Sequence, residues 1–174
     1  FPYILANAID DKFHVYTVSK LEIYSRKINA LLSRTQIRDL YDLHRIIKHQ
    51  QIEKEDFELL KSLVIVYKLI SNKDEKIEFD IHHIDLLTKG TYVRQLLPVL
   101  KKGDKFDMDL AKSAVKLFLK DLLDFNSNQK RFIDLANDGV FDFGLLFIDR
   151  TIIEKANNHP MILWKLGRNN SMKN

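Results

Sequence analysis

The sequence predicts a mainly α-helical chain: an irregular multi-helix bundle preceded by a short N-terminal β-hairpin. Three observations carry this. Glycine and proline are scarce, five and three in 174 residues, which disfavours a turn-rich all-β fold. Apolar residues recur every three or four positions through most of the chain. Ser, Thr, Asn or Asp precedes several of these stretches, where the free amides of a helix start need a cap. The length suits about one domain, and a hydrophobic content of 45% is enough for a packed core.

Residues 3–8 and 13–18 are β-prone, with Asp10-Asp11-Lys12 as the turn between them. Two strands alone are marginal in water, so this hairpin reads as part of a larger sheet. Ser19-Lys-Leu-Glu22 is a capping box that opens a helix to about Ser33, with Leu21, Tyr24, Ile28, Leu31 and Leu32 on one face. A second helix is expected from about Thr35 to His49 on Ile37, Leu40, Tyr41, His44 and Ile47. A third covers about Lys54 to Ser71, and Asn72 to Lys76 follow as a polar loop. Asp80 caps a short helix that Gly90 stops, and Thr91 caps another over 92–100 that Pro98 ends or bends. The clearest helix runs from about Met108 to Asp124, with Leu110, Ala114, Val115, Phe118, Leu119, Leu122 and Leu123 inward. Helices near 126–137 and 143–156 follow, then one that begins at Pro160 and carries Trp164. The domains expected are 1–18, 19–166 and a disordered tail, 167–174.

Composition narrows the function classes. There is no cysteine, so disulfides and thiolate metal sites are excluded. The longest apolar runs, residues 63–66 and 143–148, are far shorter than the ~20 residues that span a bilayer. No secretory signal pattern is visible, so a cytoplasmic setting is expected. The chain opens on Phe1, which suggests a processed product or a fragment. The net charge is +4 and the pI about 9.1. Basic residues gather at Lys101, Lys102 and Lys105, along 112–120, and at Lys130-Arg131. They are either a site for a phosphate-rich partner or a solvated surface, since acidic residues are interleaved.

The densest chemistry lies in residues 27–42, where Lys27, Arg34, Arg38, Asp39 and Asp42 share one stretch of two amphipathic helices. Asp39 and Asp42 are three apart and share a face; Arg38 and Asp42 are four apart and could pair. If the helices fold back as a hairpin, Lys27 comes near Asp39. Such a cluster could hold an anion through Lys27 and Arg34, with the carboxylates orienting those cations. A structural salt-bridge network between two helices is the alternative. His82-His83 with Asp85 could suggest a metal, but adjacent histidines on a helix diverge by about 100°. Asp107-Met-Asp109 reads as the N-terminal end of a helix.

These residues carry a resemblance. Lys27-Ile-Asn-Ala30 and the series Arg34, Asp39, Asp42 are similar to two motifs of the AbiEii/AbiGii family of bacterial nucleotidyltransferase toxins, of toxin–antitoxin and abortive phage-infection systems. The leucine that often stands five positions before the lysine is replaced by Glu22, with Leu21 one place earlier. Phe132, Leu145 to Phe147, His159-Pro160-Met161 and Trp164-Lys165 resemble the ending of the family. The family's Gly-Ser turn and paired-aspartate motif, which hold magnesium for the nucleoside triphosphate, are absent from this sequence. The resemblance therefore implies the C-terminal part of such an enzyme: the edge of its nucleotidyltransferase sheet, then its helical domain, with magnesium ligands outside this chain. It implies Lys27 and Asp39 as catalytic residues and Arg34, Arg38 and Asp42 as nucleotide-binding ones, with no metal ligand among them. Lys27 would contact the phosphates; Asp39 would touch the nucleotide or support Lys27. The implied reaction is transfer of a nucleoside monophosphate from an NTP to an acceptor such as tRNA, in a protein with a cognate antitoxin and no membrane. These residues alone are expected to be inactive. Two other readings stand: a non-catalytic helical module that binds RNA or a protein partner through residues 101–130, and a bundle whose ion pairs only fix helix register.

Overall fold

The computed structural model describes residues 18–49, 52–71 and 76–171, with side chains to Gly167, and all its regular structure is helical. The predicted hairpin lies outside these residues apart from Val18. So do positions 72–75 of the polar loop and the last three of the predicted tail.

Helix α1 runs from Lys20 to Ser33 and opens as its sequence prescribes: the Ser19 side chain accepts from the Glu22 N–H, and the Glu22 carboxylate accepts from the Ser19 N–H. It ends at Arg34, whose extended backbone turns the chain after its N–H bonds Ala30. The short link 34–36 leads into α2, Ile37–Lys48, and a hairpin results. Helix α3, Phe57–Ser71, packs on α1. Helix α4, Met108–Leu122, packs on α2 behind an Asp107 cap. Helices α5 (Ser127–Asn137), α6 (Arg150–Asn157) and α7 (Pro160–Ser171) complete the chain. The last continues past Gly167, where the sequence suggested that order stops.

Two apolar cores result. The first gathers Ile28, Leu31 and Leu32 of α1, Ile37, Leu40 and Leu43 of α2, Leu60 and Val64 of α3, and Val115 and Leu119 of α4. The second joins Ile65 and Leu69 of α3 to Phe132 of α5, Phe143, Phe147 and Ile162. Helix α3 therefore buries two faces, and its apolar run at 63–66 needs both. Each fully buried Leu, Ile or Phe contributes about 1.5–3 kcal/mol relative to exposure.

Several expectations change. Residues 80–88 form a single 3-10 turn, His82–Ile84, whose cap position is Ile81; Asp80, one residue earlier, accepts from the His82 N–H. The next helical segment is capped by Thr88, not Thr91, and it includes Gly90. Over Tyr92–Leu96 it widens to a π-helix, with the Leu97 N–H bonded to Tyr92 O, then tightens to a 3-10 turn at Leu97–Val99. Pro98 explains the break, because it has no N–H to continue an α-helical ladder. Leu110 faces solvent rather than the core, and Ala111 is buried instead. Over 143–156 a 3-10 turn at Phe143–Leu145 precedes α6.

Candidate functional site

The α1–α2 hairpin brings the charged residues of 27–42 into two ion pairs. Lys27, in the third turn of α1, donates from Nζ to Asp42 Oδ2 at 2.5 Å. Both side chains are near 40% exposed, at 42% and 37%. Arg34 donates from Nε and Nη2 to the two oxygens of Asp39, at 2.8 and 3.0 Å. This second pair is lopsided: Asp39 is 5% exposed in its side chain, whereas Arg34 is 60% exposed. The fork geometry needs arginine, because a lysine could not engage both oxygens at once. The Asp39 carboxylate keeps the Arg34 guanidinium even more firmly charged than usual, first by the hydrogen bond and then by direct attraction. Asp39 also stands in the first turn of α2, where the helix dipole favours an anion.

Two expected partnerships are not formed. Lys27 meets Asp42 and not Asp39. Arg38 does not pair with Asp42; its Nε donates to the Gln95 carbonyl at 3.1 Å, on the π-helical segment. That contact ties α2 to residues 92–96. Asp42 is instead flanked by Arg45, one turn on, which also bonds the Tyr41 hydroxyl at 2.8 Å and lies 3.9 Å from Asp104.

Glu22, which replaces the family's frequent leucine, has work of its own. Besides capping α1, it accepts from the Tyr67 hydroxyl of α3 at 2.7 Å. That bond, more than any other influence, holds the Glu22 carboxyl below its ordinary range. Arg26 lies over the Tyr67 ring, 4.8 Å from its centroid, and donates to the same hydroxyl. The Tyr67 phenol is pushed up, mainly by burial. This network borders the hairpin on its α3 side, and the sequence showed only its capping half.

Among the described residues no cluster of three or more histidines and carboxylates converges on a cation position. The chemistry agrees. Both Asp39 oxygens are taken by Arg34, Asp42 is taken by Lys27, and Asp107 Oδ1 accepts from the Asp109 and Leu110 amides. His82 and His83 reach Asp85 and Asp80 only at 4.0 Å.

The family described as nucleotidyl transferase AbiEii toxin, type IV toxin–antitoxin system, matches residues 1–136, well over half of the chain. The chain belongs to this family. The AbiEii match takes in the whole α1–α2 hairpin with both ion pairs and continues to Ala136, one residue short of the end of α5. The likeness read from residues 143–165 lies beyond it. No curated protein and no solved structure matches the chain significantly. No helix among the described residues is long and apolar enough to cross a membrane.

Proposed function

We propose that this chain supplies the phosphate-handling half of a nucleotidyltransferase site in an AbiEii toxin, which transfers a nucleoside monophosphate from an NTP to an RNA acceptor, tRNA by the family reading. The observation that carries this is the Lys27–Asp42 pair. An ion pair this exposed is worth about 0–1 kcal/mol to the fold. It does, however, keep a mobile ammonium extended at the surface, in the manner of a phosphate-binding lysine. Incoming phosphate oxygens would compete with Asp42 for Lys27. Arg34, fixed in orientation by Asp39 yet open on its other edge, would bind a second phosphate group. Asp39 is then a positioning residue that acts through Arg34, and Asp42 plays the same part for Lys27. Arg38 would contribute through the attachment of α2 to residues 92–96. The magnesium ion of this reaction would take its ligands from residues other than these. A cognate antitoxin and a cytoplasmic setting belong to the same reading.

The test is transfer of label from each of the four nucleoside triphosphates to total tRNA by the complete protein. Lys27→Ala and Asp39→Ala should abolish labelling while the variants keep their helical circular-dichroism spectrum. Undiminished labelling in either variant would exclude that residue from the site.

A further inference from the structure

A second cleft adjoins the hairpin on the α4 side. It has a volume of about 540 Å³ and is lined by Tyr92, Val93, Phe106 and Met108, with Lys89 and Lys105 among the same walls. Both lysines are exposed, and neither makes an ion pair among the described residues. The rings of Tyr92 and Phe106 are 6.0 Å apart at 38°. Phe106 is also packed edge-on against Tyr41, 5.4 Å away, and Tyr41 is the neighbour of Asp42 in α2. The Tyr41 hydroxyl accepts from Arg45, so the aromatic contacts end on α2, the helix that also carries Asp42. Arg45 is exposed and held by Tyr41, the ring that packs on Phe106, and by Asp104. The acidic residues of the lining, Asp107 and Asp109, open α4, and Asp107 is occupied as its cap.

We propose that this cleft binds a nucleotide of a single-stranded polynucleotide, the acceptor strand, with its base on the Tyr92–Phe106 surface and its phosphates at Lys89 and Lys105. Partly exposed aromatic faces beside lysines are the combination that grips single strands without reading their sequence, by stacking and by charge. The open form of the cleft suits a strand that passes through. Because Phe106 packs on Tyr41 of α2, the helix that carries Asp42, the strand would lie beside the phosphate-handling pair. This assignment rests on the proposed transfer reaction only for the identity of the strand as acceptor; binding itself is tested separately.

The experiment is fluorescence anisotropy of a labelled single-stranded RNA oligomer with the full chain, across a salt series. The proteins are wild type, Lys89→Ala/Lys105→Ala, Tyr92→Leu and Lys155→Ala. Loss of two phosphate contacts should lower the slope of log affinity against log salt by about 1.4, from about 0.7 per contact. Tyr92→Leu keeps apolar volume but removes the stack, so affinity should fall about 5- to 150-fold with the slope unchanged. Lys155→Ala, at an exposed lysine of α6 outside the cleft, should bind within about twofold of wild type. Wild-type affinity and slope in the exposed double-lysine variant would overturn the proposal even if Tyr92→Leu fails to fold. Competition by a free nucleoside triphosphate, with the same dependence on Lys89, Lys105 and Tyr92, would show a mononucleotide site and overturn the strand assignment. Labelled transfer that persists in the double-lysine variant at unchanged KM for RNA would refute the cleft while leaving the role of Lys27 intact.

Discussion

Removing Arg34 should damage the fold more than removing its partner Asp39. Arg34→Ala deprives the Asp39 carboxylate, 5% exposed in the intact pair, of its two charge-assisted hydrogen bonds. Such bonds contribute about 1.5–3 kcal/mol each when buried. The guanidinium here is more than half in water, so about 2–3 kcal/mol in total is the reasonable figure, a roughly 30- to 150-fold fall in the folded-to-unfolded ratio. Asp39→Ala removes the buried charge itself and returns an already solvated arginine to water. It forfeits the pair and a first-turn acid worth ~0.3–1 kcal/mol, so its net effect should be about 1 kcal/mol. In the double variant nothing remains unpaired, and its stability should equal that of Asp39→Ala. Urea denaturation of the four proteins measures this as a coupling of about 2 kcal/mol. The coupling should persist at high salt, because the carboxylate is shielded from ions. Single effects that add within ~0.5 kcal/mol, or an Arg34→Ala variant no less stable than Asp39→Ala, would refute the reasoning.

Lys27→Met and Asp42→Asn should each shift stability by less than about 1 kcal/mol, since both partners are well exposed, yet nucleotide transfer should be lost in the first; urea midpoints and labelling separate the two effects. Phe132→Ala should cost about 3–5 kcal/mol, because the ring is fully buried against Phe143, 5.3 Å away; thermal melts monitor it. Acid should weaken the fold in two steps. Glu22 titrates lower in the folded chain than unfolded, mainly through Tyr67. Its contribution is therefore full above the unfolded value of about 4.3 and lost as pH falls through the folded one; Glu22→Gln should remove that step. The imidazole of His44 is also lowered, first by burial and then by Lys48, against an opposing pull from Asp107. Its contribution should be full above about pH 6.5 and decline on acidification, and His44→Leu should flatten stability between about pH 7 and pH 5.

Local rules made much of the helical framework legible. The Ser19–Glu22 and Asn126–Gln129 capping boxes and the Asp107 cap lie within three residues of the helix starts they define. The motif residues were equally visible, because their charges crowd one short stretch. Their partners were not. Spacing favours Arg38 with Asp42, an i to i+4 pair, yet Arg38 meets a carbonyl fifty-seven positions away. That carbonyl belongs to a π-helix which no propensity rule announces and which a single proline rationalises afterwards. The burial of Asp39 was also hidden. An aspartate in a first turn reads as exposed, and only the hairpin closing over it, with Arg34 as lid, makes it interior. The cleft at Tyr92 and Phe106 depends on the packing of α4 against α2, which sequence periodicity cannot specify.

In the proposed reading the two motif pairs divide structural from chemical work. Arg34 and Asp39 make an interaction the fold depends on, since one partner cannot be removed without stranding a buried charge. Lys27 and Asp42 make one that the fold hardly needs. A sequence selected only for stability would have little reason to keep a lysine and an aspartate together at that exposed place, where surface substitutions are nearly neutral. A site that must hold phosphates and release them needs the opposite of a strong pair: a cation already extended, held by a carboxylate that solvent has weakened. The register-fixing alternative assigns both pairs to the fold, whereas the proposed phosphate handling uses the rigid pair as the frame and the exposed pair as the working group; loss of labelling without loss of stability in Lys27→Met would separate the two.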